Sequence, residues 1–224
     1  MMNSKVERFN RLLDLSMDYL EDGVRREHRE IEAGAGIRKE DSLTTIEAEI
    51  AACSKCRLCE NRNKTVPGKG VLNPKVMIIG EGPGAEEDKT GIPFVGRAGQ
   101  YMDKWMDAID LKRDKDLFIG NIVKCRPPGN RDPHPDEIEA CRGYLERQIK
   151  ILKPSLIMTV GRIAAQELIG SSSGIGRLRG RMYDYMGIPL IPTYHPSGVL
   201  RNPENYRKPV WEDLKAVRKF LDSL

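Results

Sequence analysis

A chain of 224 residues is long enough to bury one good core, and its composition, 39% hydrophobic and 31% charged, is typical of a soluble globular protein. No apolar run approaches membrane-spanning length and the first residues lack the apolar core of a signal peptide, so we expect a cytoplasmic protein with no membrane partner. The net charge is +4, and arginine and lysine outnumber acids between residues 174 and 208, which suits a polyanionic ligand.

The N-terminal segment carries a single apolar stripe. Apolar residues recur at helical spacing from Val6 to Val24, which predicts an amphipathic helix over residues 4–31, and Ala33-Gly34-Ala35-Gly36 predicts a linker. We therefore divide the chain into an N-terminal helix and linker, residues 1–43, and a main domain, residues 44–224. A lone stripe has no core of its own, so this helix must dock on the main domain, the favoured arrangement, or on a protein partner.

Four short apolar runs in the main domain predict buried strands. They lie near residues 75–79, 118–123, 156–160 and 188–194, and segments with helical periodicity alternate with them. Strands that alternate with helices indicate an α/β fold. We predict a three-layer α/β/α sandwich around a four-stranded, mainly parallel sheet, with the extra N-terminal helix outside it.

Parallel sheets bind ligands beyond the carboxyl ends of their strands. In this chain, polar residues lie at or just after the ends of three predicted strands. Glu81 follows the first strand in a loop rich in glycine and acids, residues 80–96, and glycine lets backbone N–H groups approach a ligand closely. Asn121 lies toward the exit of the second strand, and His195 follows the fourth. We expect these three residues to converge on one edge of the sheet.

The five cysteines form a second pattern. Cys53, Cys56 and Cys59 are spaced by two residues, and Cys125 and Cys141 lie far downstream. Intracellular cysteines favour metal ligation or free thiols over disulfides. Sites made only of thiolates suit zinc or an iron–sulfur cluster, and the spacing alone selects neither the metal nor which four of the five cysteines bind it.

Taken together, these motifs resemble the family 4 uracil-DNA glycosylases, the iron–sulfur members of the uracil-DNA glycosylase superfamily. The resemblance runs from residue 45 to the C-terminus. It implies an enzyme of DNA repair that flips uracil out of single- or double-stranded DNA and hydrolyses its N-glycosidic bond, leaving an abasic site. The motifs that carry it are Cys53-x-x-Cys56-Arg57-Leu58, Gly80-Glu81-Gly82-Pro83-Gly84, Gly91-Ile92-Pro93-Phe94-Val95-Gly96, Asn121-Ile122-Val123-Lys124-Cys125-Arg126-Pro127-Pro128, Cys141 and His195-Pro196-Ser197.

The resemblance also implies the cofactor and the residue roles. A 4Fe-4S cluster is held by Cys53, Cys56, Cys125 and Cys141, with Cys59 as a bystander. His195 and Glu81 act in catalysis. The uracil pocket is formed by Gly82, Pro83, Glu87, Phe94, Asn121 and Ser197, with Phe94 stacking on the base, Asn121 reading its edge, and Glu87 or Asp88 excluding thymine.

A DNA-binding surface is expected around the segment after His195. Leu200 is an apolar wedge for the gap that an extruded nucleotide leaves, and Arg201 suits a phosphate. Arg177 and Arg179 would hold the DNA backbone through their charge.

Two alternatives remain. One is a non-catalytic iron–sulfur protein that binds nucleic acid and is tied to the replication machinery by the N-terminal helix. The other is the cross-linking subgroup of the superfamily, which forms a covalent adduct through a histidine in a basic insertion. The segment Arg131-Asp132-Pro133-His134 is short and mixed in charge, which disfavours the second alternative.

Overall fold

The structure, a computed structural model of the protein, describes residues 41–224. The predicted helix at residues 4–31 and the linker after it lie outside the described residues, so the proposed docking of that helix stays a prediction. Among the described residues, no helix is both long and apolar enough to cross a bilayer.

A six-stranded mixed sheet forms the centre of the domain. Its strand order is β1-β3-β2-β4-β6-β5, and the four inner strands are parallel to one another, as predicted. The two outer strands are antiparallel and raise the predicted count from four to six. The strands are β1 (Lys69–Gly70), β2 (Val76–Gly80), β3 (Leu117–Asn121), β4 (Leu156–Val160), β5 (Tyr183–Tyr185) and β6 (Ile188–Thr193).

Eight α-helices connect these strands within residues 41–224. The C-terminal helix begins at Pro203 and accommodates Pro209 within it. The helices are α1 (Leu43–Ala51), α2 (Ala85–Thr90), α3 (Arg97–Asp107), α4 (Pro135–Leu152), α5 (Arg162–Ile169), α6 (Ile175–Leu178), α7 (Pro196–Arg201) and α8 (Pro203–Leu221), with 3₁₀ turns at Arg57–Cys59 and Pro128–Asn130.

Two hydrophobic cores cover the two faces of the sheet and establish the three predicted layers. Strand β2 is buried along its whole length because helices cover both faces of a parallel sheet, which is why it reads as an uninterrupted apolar run. Its Val76 and Ile78 pack with α3 and α8, whereas Met77 and Ile79 pack with α4 and α5. This alternation fixes the strand register, and with it the residue that ends the strand at the sheet edge.

Helix α1 is fastened to α4. Ile46 and Ile50 pack against Tyr144, and the buried Arg147 of α4 pairs with Asp41 and with Glu49, whose Oε2 lies 2.6 Å from Arg147 Nη1. A buried arginine with two carboxylate partners is geometrically restrictive. It therefore sets the position at which the chain leaves α1 and delivers the first cysteines to α4.

Candidate active site and cysteine cavity

The carboxyl ends of the parallel strands meet at one edge, as the sequence predicts. Gly80, the last residue of β2, is paired with Asn121, the last residue of β3. On the neighbouring strands, the N–H of Gly161 after β4 donates to the carbonyl of Thr193 at the end of β6, at 2.9 Å. Asn121 therefore lies at the same edge of the sheet as Glu81 and His195, which follow β2 and β6.

Asn121 and Phe94 meet above Gly80. A Cβ at Gly80 would lie 2.5 Å from Asn121 Oδ1 and 2.6 Å from Phe94 Cζ, so only glycine lets both side chains occupy this space. Asn121 is 1% exposed, and within the described residues its Oδ1 has no hydrogen-bond partner. A buried acceptor without a donor is costly, which indicates that a ligand supplies the donor.

His195 completes this group of side chains. Its ring centroid lies 6.0 Å from that of Phe94, with the two planes inclined by 37°. Gly161, at a φ of 99°, gives it room, because a Cβ there would lie 3.2 Å from His195 Cβ. The structure thus brings Phe94, Asn121 and His195 together at one site.

Hydrogen bonds to the His195 ring determine which nitrogen carries its proton. Nδ1 accepts the backbone N–H of Ser197 at 3.2 Å and lies 2.7 Å from Ser197 Oγ. Burial, helped by the charge of Arg201 and opposed by that of Glu87, lowers the pKa of His195 to about 4. The imidazole is therefore neutral near pH 7, and its single proton lies on Nε2, which makes Nε2 a hydrogen-bond donor.

Glu81 is half-buried beside an ion pair. Burial, helped by the charge of Asp132 and opposed by that of Arg162, raises the pKa of Glu81 to about 7. Arg162 and Asp132 are themselves paired. A carboxyl with a pKa near the working pH can exchange a proton or hold an anionic charge in a site, as catalytic carboxyls do.

The other predicted pocket residues have identifiable neighbours. A Cβ at Gly82 would lie 2.8 Å from Val123 Cγ2, and Pro83 is buried. Glu87 Oε1 accepts the N–H groups of Val95 and Gly96, both at 2.9 Å, so this carboxylate braces the loop of Phe94. Asp88 is buried and accepts the N–H of Asn63, which gives it a structural partner instead of a place beside the base.

The predicted DNA-contact residues divide into two groups. Leu200 is half-buried on α7, and Arg201 and Arg177 are exposed. Arg179 turns inward: its Nη2 donates to Asp213 Oδ1 at 2.7 Å and to the carbonyl of Pro209 at 2.6 Å. Because this guanidinium is committed to a buried carboxylate, we correct its expected role from DNA contact to tying α6 to α8.

All five cysteines line one cavity between α1, the first 3₁₀ turn and α4, with Arg62 and Lys124 in the same wall. Arg62 Nη1 donates to Cys125 Sγ at 3.2 Å. Burial raises the pKa of the Cys56 and Cys125 thiols, and that of Cys141 to about 11. Among residues 41–224, no group of three or more histidine, cysteine or acidic side chains is arranged to hold a single metal ion.

Sequence reasoning missed a buried lysine between the cysteine cavity and the sheet edge. Lys124 Nζ donates to the carbonyl of Asn121 and to Gln148 Oε1, both at 2.9 Å, and Gln148 Nε2 donates to the carbonyl of Pro67 at 2.8 Å. Burial lowers the pKa of Lys124 to about 8. In the sequence, only its place beside Cys125 could have drawn attention to Lys124, and that motif had already been explained by Asn121 and Cys125.

Comparison with known proteins agrees with this geometry. A family model described as the uracil DNA glycosylase superfamily matches residues 67–215. The type-4 uracil-DNA glycosylase of Sulfurisphaera tokodaii is 44% identical, over 80% of this chain and 85% of that protein. Those of Saccharolobus solfataricus and Thermotoga maritima are 42% and 40% identical, each over 82% of this chain and over 88% and 96% of their own lengths. The chain therefore belongs to the uracil DNA glycosylase superfamily and, within it, to the type-4 family.

Proposed function

We propose that this protein is a uracil-DNA glycosylase of DNA repair, a hydrolase that removes uracil from DNA and leaves an abasic site. The observation that carries the proposal is the unpartnered Oδ1 of Asn121, buried at a site shared with Phe94 and His195. The type-4 uracil-DNA glycosylases similar to this chain support the same activity.

The site matches the hydrogen-bonding edge of uracil. The Asn121 amide offers an acceptor to uracil N3–H and a donor to O4, whereas cytosine presents the reverse pattern and would meet two mismatches. Phe94 is buried beside the amide and can replace the stacking that an extruded base loses. Recognition thus combines an aromatic face with one polar side chain of fixed direction.

Catalysis follows from where charge develops. As the glycosidic bond breaks, the base leaves as an anion and the sugar gains oxocarbenium character. The neutral imidazole of His195 can donate its Nε2–H to uracil O2, a contact that strengthens as the oxygen becomes negative. Glu81, as a carboxylate, orients the attacking water and stabilises the positive sugar.

The proposal is tested with DNA oligonucleotides that carry one uracil or one cytosine. We expect uracil release by the wild-type protein and none of cytosine. Asn121→Asp replaces the donor to O4 with a carboxylate, so uracil release should fall roughly 10–100-fold, the equivalent of about 1–3 kcal/mol, and the preference over cytosine should narrow. Asn73→Asp, an exposed position at the opposite end of β2, is the matched control. A wild-type protein that releases no uracil from either strand form contradicts the proposal.

The pH dependence tests the role of Glu81. Because the carboxylate is the active form and its pKa is about 7, kcat/KM should rise as pH increases through 7 and then level off. Asp132→Asn should move this inflection to lower pH, and Arg162→Met to higher pH, because their charges act on Glu81 in opposite directions. An inflection that survives in Glu81→Gln, or that neither neighbouring variant moves, assigns the titration to another group.

For DNA engagement we propose Leu200 as the wedge and Arg201 and Arg177 as phosphate contacts. Arg201 ends α7, the helix that begins directly after His195, so a phosphate bound there lies close to the extruded nucleotide. Arg179 is left out because its guanidinium is paired with the buried Asp213. Contacts of this kind are ionic and should weaken as salt rises.

We further propose that the cysteine cavity holds a 4Fe-4S cluster through Cys53, Cys56, Cys125 and Cys141. Thiolates are the ligands that iron–sulfur clusters use, and these four cysteines line one cavity together with Arg62 and Lys124. The neighbouring cations suit the negative charge of such a cluster. When bound, the cluster would tie the segment that follows β3 to the first cysteines.

The two alternative functions predict different outcomes of the same assay. A non-catalytic nucleic-acid-binding protein would retain the oligonucleotide without releasing uracil. A cross-linking protein would leave a stable protein–DNA band on a denaturing gel. His134 is exposed, and its backbone N–H donates to Glu137 Oε2 at 2.7 Å at the start of α4. This contact uses only the backbone of His134, and the segment around it is short and mixed in charge instead of basic, so we expect no such band.

A further inference from the structure

The loop that carries Phe94 has an unusual backbone. Phe94 has a φ of 53°, in the left-handed region that side chains other than glycine rarely occupy. Such a conformation persists only where its surroundings hold it. Loss of those contacts would let the backbone relax, and the ring would move away from the position that it shares with His195 and Asn121.

Arg113 supplies the contacts on the carbonyl side of this loop. Its Nη1 donates to the carbonyl of Pro93 at 3.1 Å, and its Nη2 donates to the carbonyl of Phe94 at 2.8 Å. Its Nε donates to Asp103 Oδ1 of α3 at 3.0 Å. A planar guanidinium fits two neighbouring carbonyls at once, which a lysine ammonium does not.

Two further features close the loop around Phe94. Gly99 lets the Phe94 carbonyl rest on the first turn of α3, because a Cβ at that position would lie 1.9 Å from this oxygen. Glu87 Oε1 accepts the N–H groups of Val95 and Gly96, the two residues that follow Phe94. The peptide groups on both sides of Phe94 are thus hydrogen-bonded to charged side chains.

We propose that Arg113 is a positioning residue for base recognition: supported by Asp103, it holds the Pro93 and Phe94 carbonyls and so fixes the Phe94 ring against the extruded uracil. This proposal rests on the proposed function. Arg113 touches neither substrate nor reacting atoms and acts only through the ring. Its contribution should therefore disappear when the ring is absent.

A double-mutant cycle on uracil release tests this prediction. Arg113→Met alone should lower kcat/KM roughly 10–100-fold, since misplacement by about 1 Å of a group that orients substrate can cost that much. In a Phe94→Ala background, the same substitution should change kcat/KM by less than about twofold, because contacting residues that act as a unit are not additive. Arg113→Lys keeps the charge but lacks the planar guanidinium, so its kcat/KM should lie between those of Arg113→Met and the wild-type protein. Lys112→Met removes a neighbouring surface cation paired with Asp107 and is the matched control.

The outcomes distinguish a failure of the positioning role of Arg113 from a failure of the proposed function. An equal loss in both backgrounds, or no loss with Phe94 present, overturns the positioning role. If Phe94→Ala or Arg113→Met does not fold, Phe94→Leu and Arg113→Lys complete the same cycle and are judged by the same criterion. Wild-type protein that releases no uracil contradicts the proposed function instead, before any variant is compared.

Discussion

Replacing His195 with alanine should lower the single-turnover rate of uracil release by roughly 10²–10³-fold, the usual cost of one donor aimed at a developing anion. The geometry supports this size of effect because the Ser197 N–H holds Nδ1 as an acceptor and leaves Nε2–H to donate. The measurement is the rate of abasic-site formation in a uracil oligonucleotide under enzyme excess.

The effect should be the same at pH 6, 7 and 8. Since the pKa of His195 is about 4, the imidazole is neutral over this whole range and its donor does not change. We expect the pH dependence of the rate to come from Glu81, because burial raises the pKa of this carboxyl to about 7. A His195→Ala defect that grows steeply as pH falls would point to a protonated imidazole and would contradict the neutral donor.

Two variants serve as controls for this prediction. Ser197→Ala removes the hydroxyl near Nδ1 but keeps the backbone N–H that sets the tautomer, so the rate should fall only about 2–10-fold, as for one ordinary hydrogen bond. His134→Ala alters an exposed histidine far along the chain and should leave the rate unchanged. Near-normal turnover in His195→Ala would remove this residue from the mechanism.

The central sheet could be predicted because its parallel strands are buried on both faces. Their apolar runs, such as Val76–Gly80, can be recognised in the sequence. Because parallel sheets bind ligands beyond the carboxyl ends of their strands, Glu81, Asn121 and His195 are then predicted to lie at one edge. The edge strands Lys69–Gly70 and Tyr183–Tyr185 were not predicted, because strands of two or three residues are too short to show an alternation of apolar and polar side chains. Pattern alone therefore yields the layers and the site edge, but not the sheet width.

The supporting residues could not be predicted because their roles depend on distant partners. Arg113 lies 19 residues from the carbonyl of Phe94 that it binds, and nothing local distinguishes it from a surface arginine. Arg179 belongs to a basic stretch by sequence, yet Asp213, 34 residues away, draws it inward. Composition identifies charges, whereas only the folded chain shows which of them are already paired.

Replacing Cys141 with serine should produce the largest loss of stability among the proposed variants. Cys141 is a buried residue of α4, and burial raises the pKa of its thiol to about 11, so without a bound metal it is a neutral thiol near pH 7. If it is a cluster ligand, we expect colourless or weakly coloured protein, low iron and sulfide content, and a Tm lower by about 10 °C or more.

The loss should also reach the uracil site. Cys125 follows Lys124, whose ammonium holds the Asn121 carbonyl, and Arg62 donates to Cys125 Sγ. Loosening this segment would release the strand end that aims the Asn121 amide. We therefore expect any Cys141→Ser protein that is recovered to discriminate uracil from cytosine less well, a change that lower stability alone would not cause.

Cys59→Ser is the matched control, because Cys59 lines the same cavity and also carries a thiol. If Cys59 is a bystander, the variant should keep its visible absorption, its iron content and its Tm. The opposite pattern, a coloured Cys141→Ser protein beside a colourless Cys59→Ser protein, would replace Cys141 with Cys59 in the ligand set. Because Cys141 is buried and Cys59 is only half-buried, ligation is judged from visible absorption and iron content, and not from Tm alone.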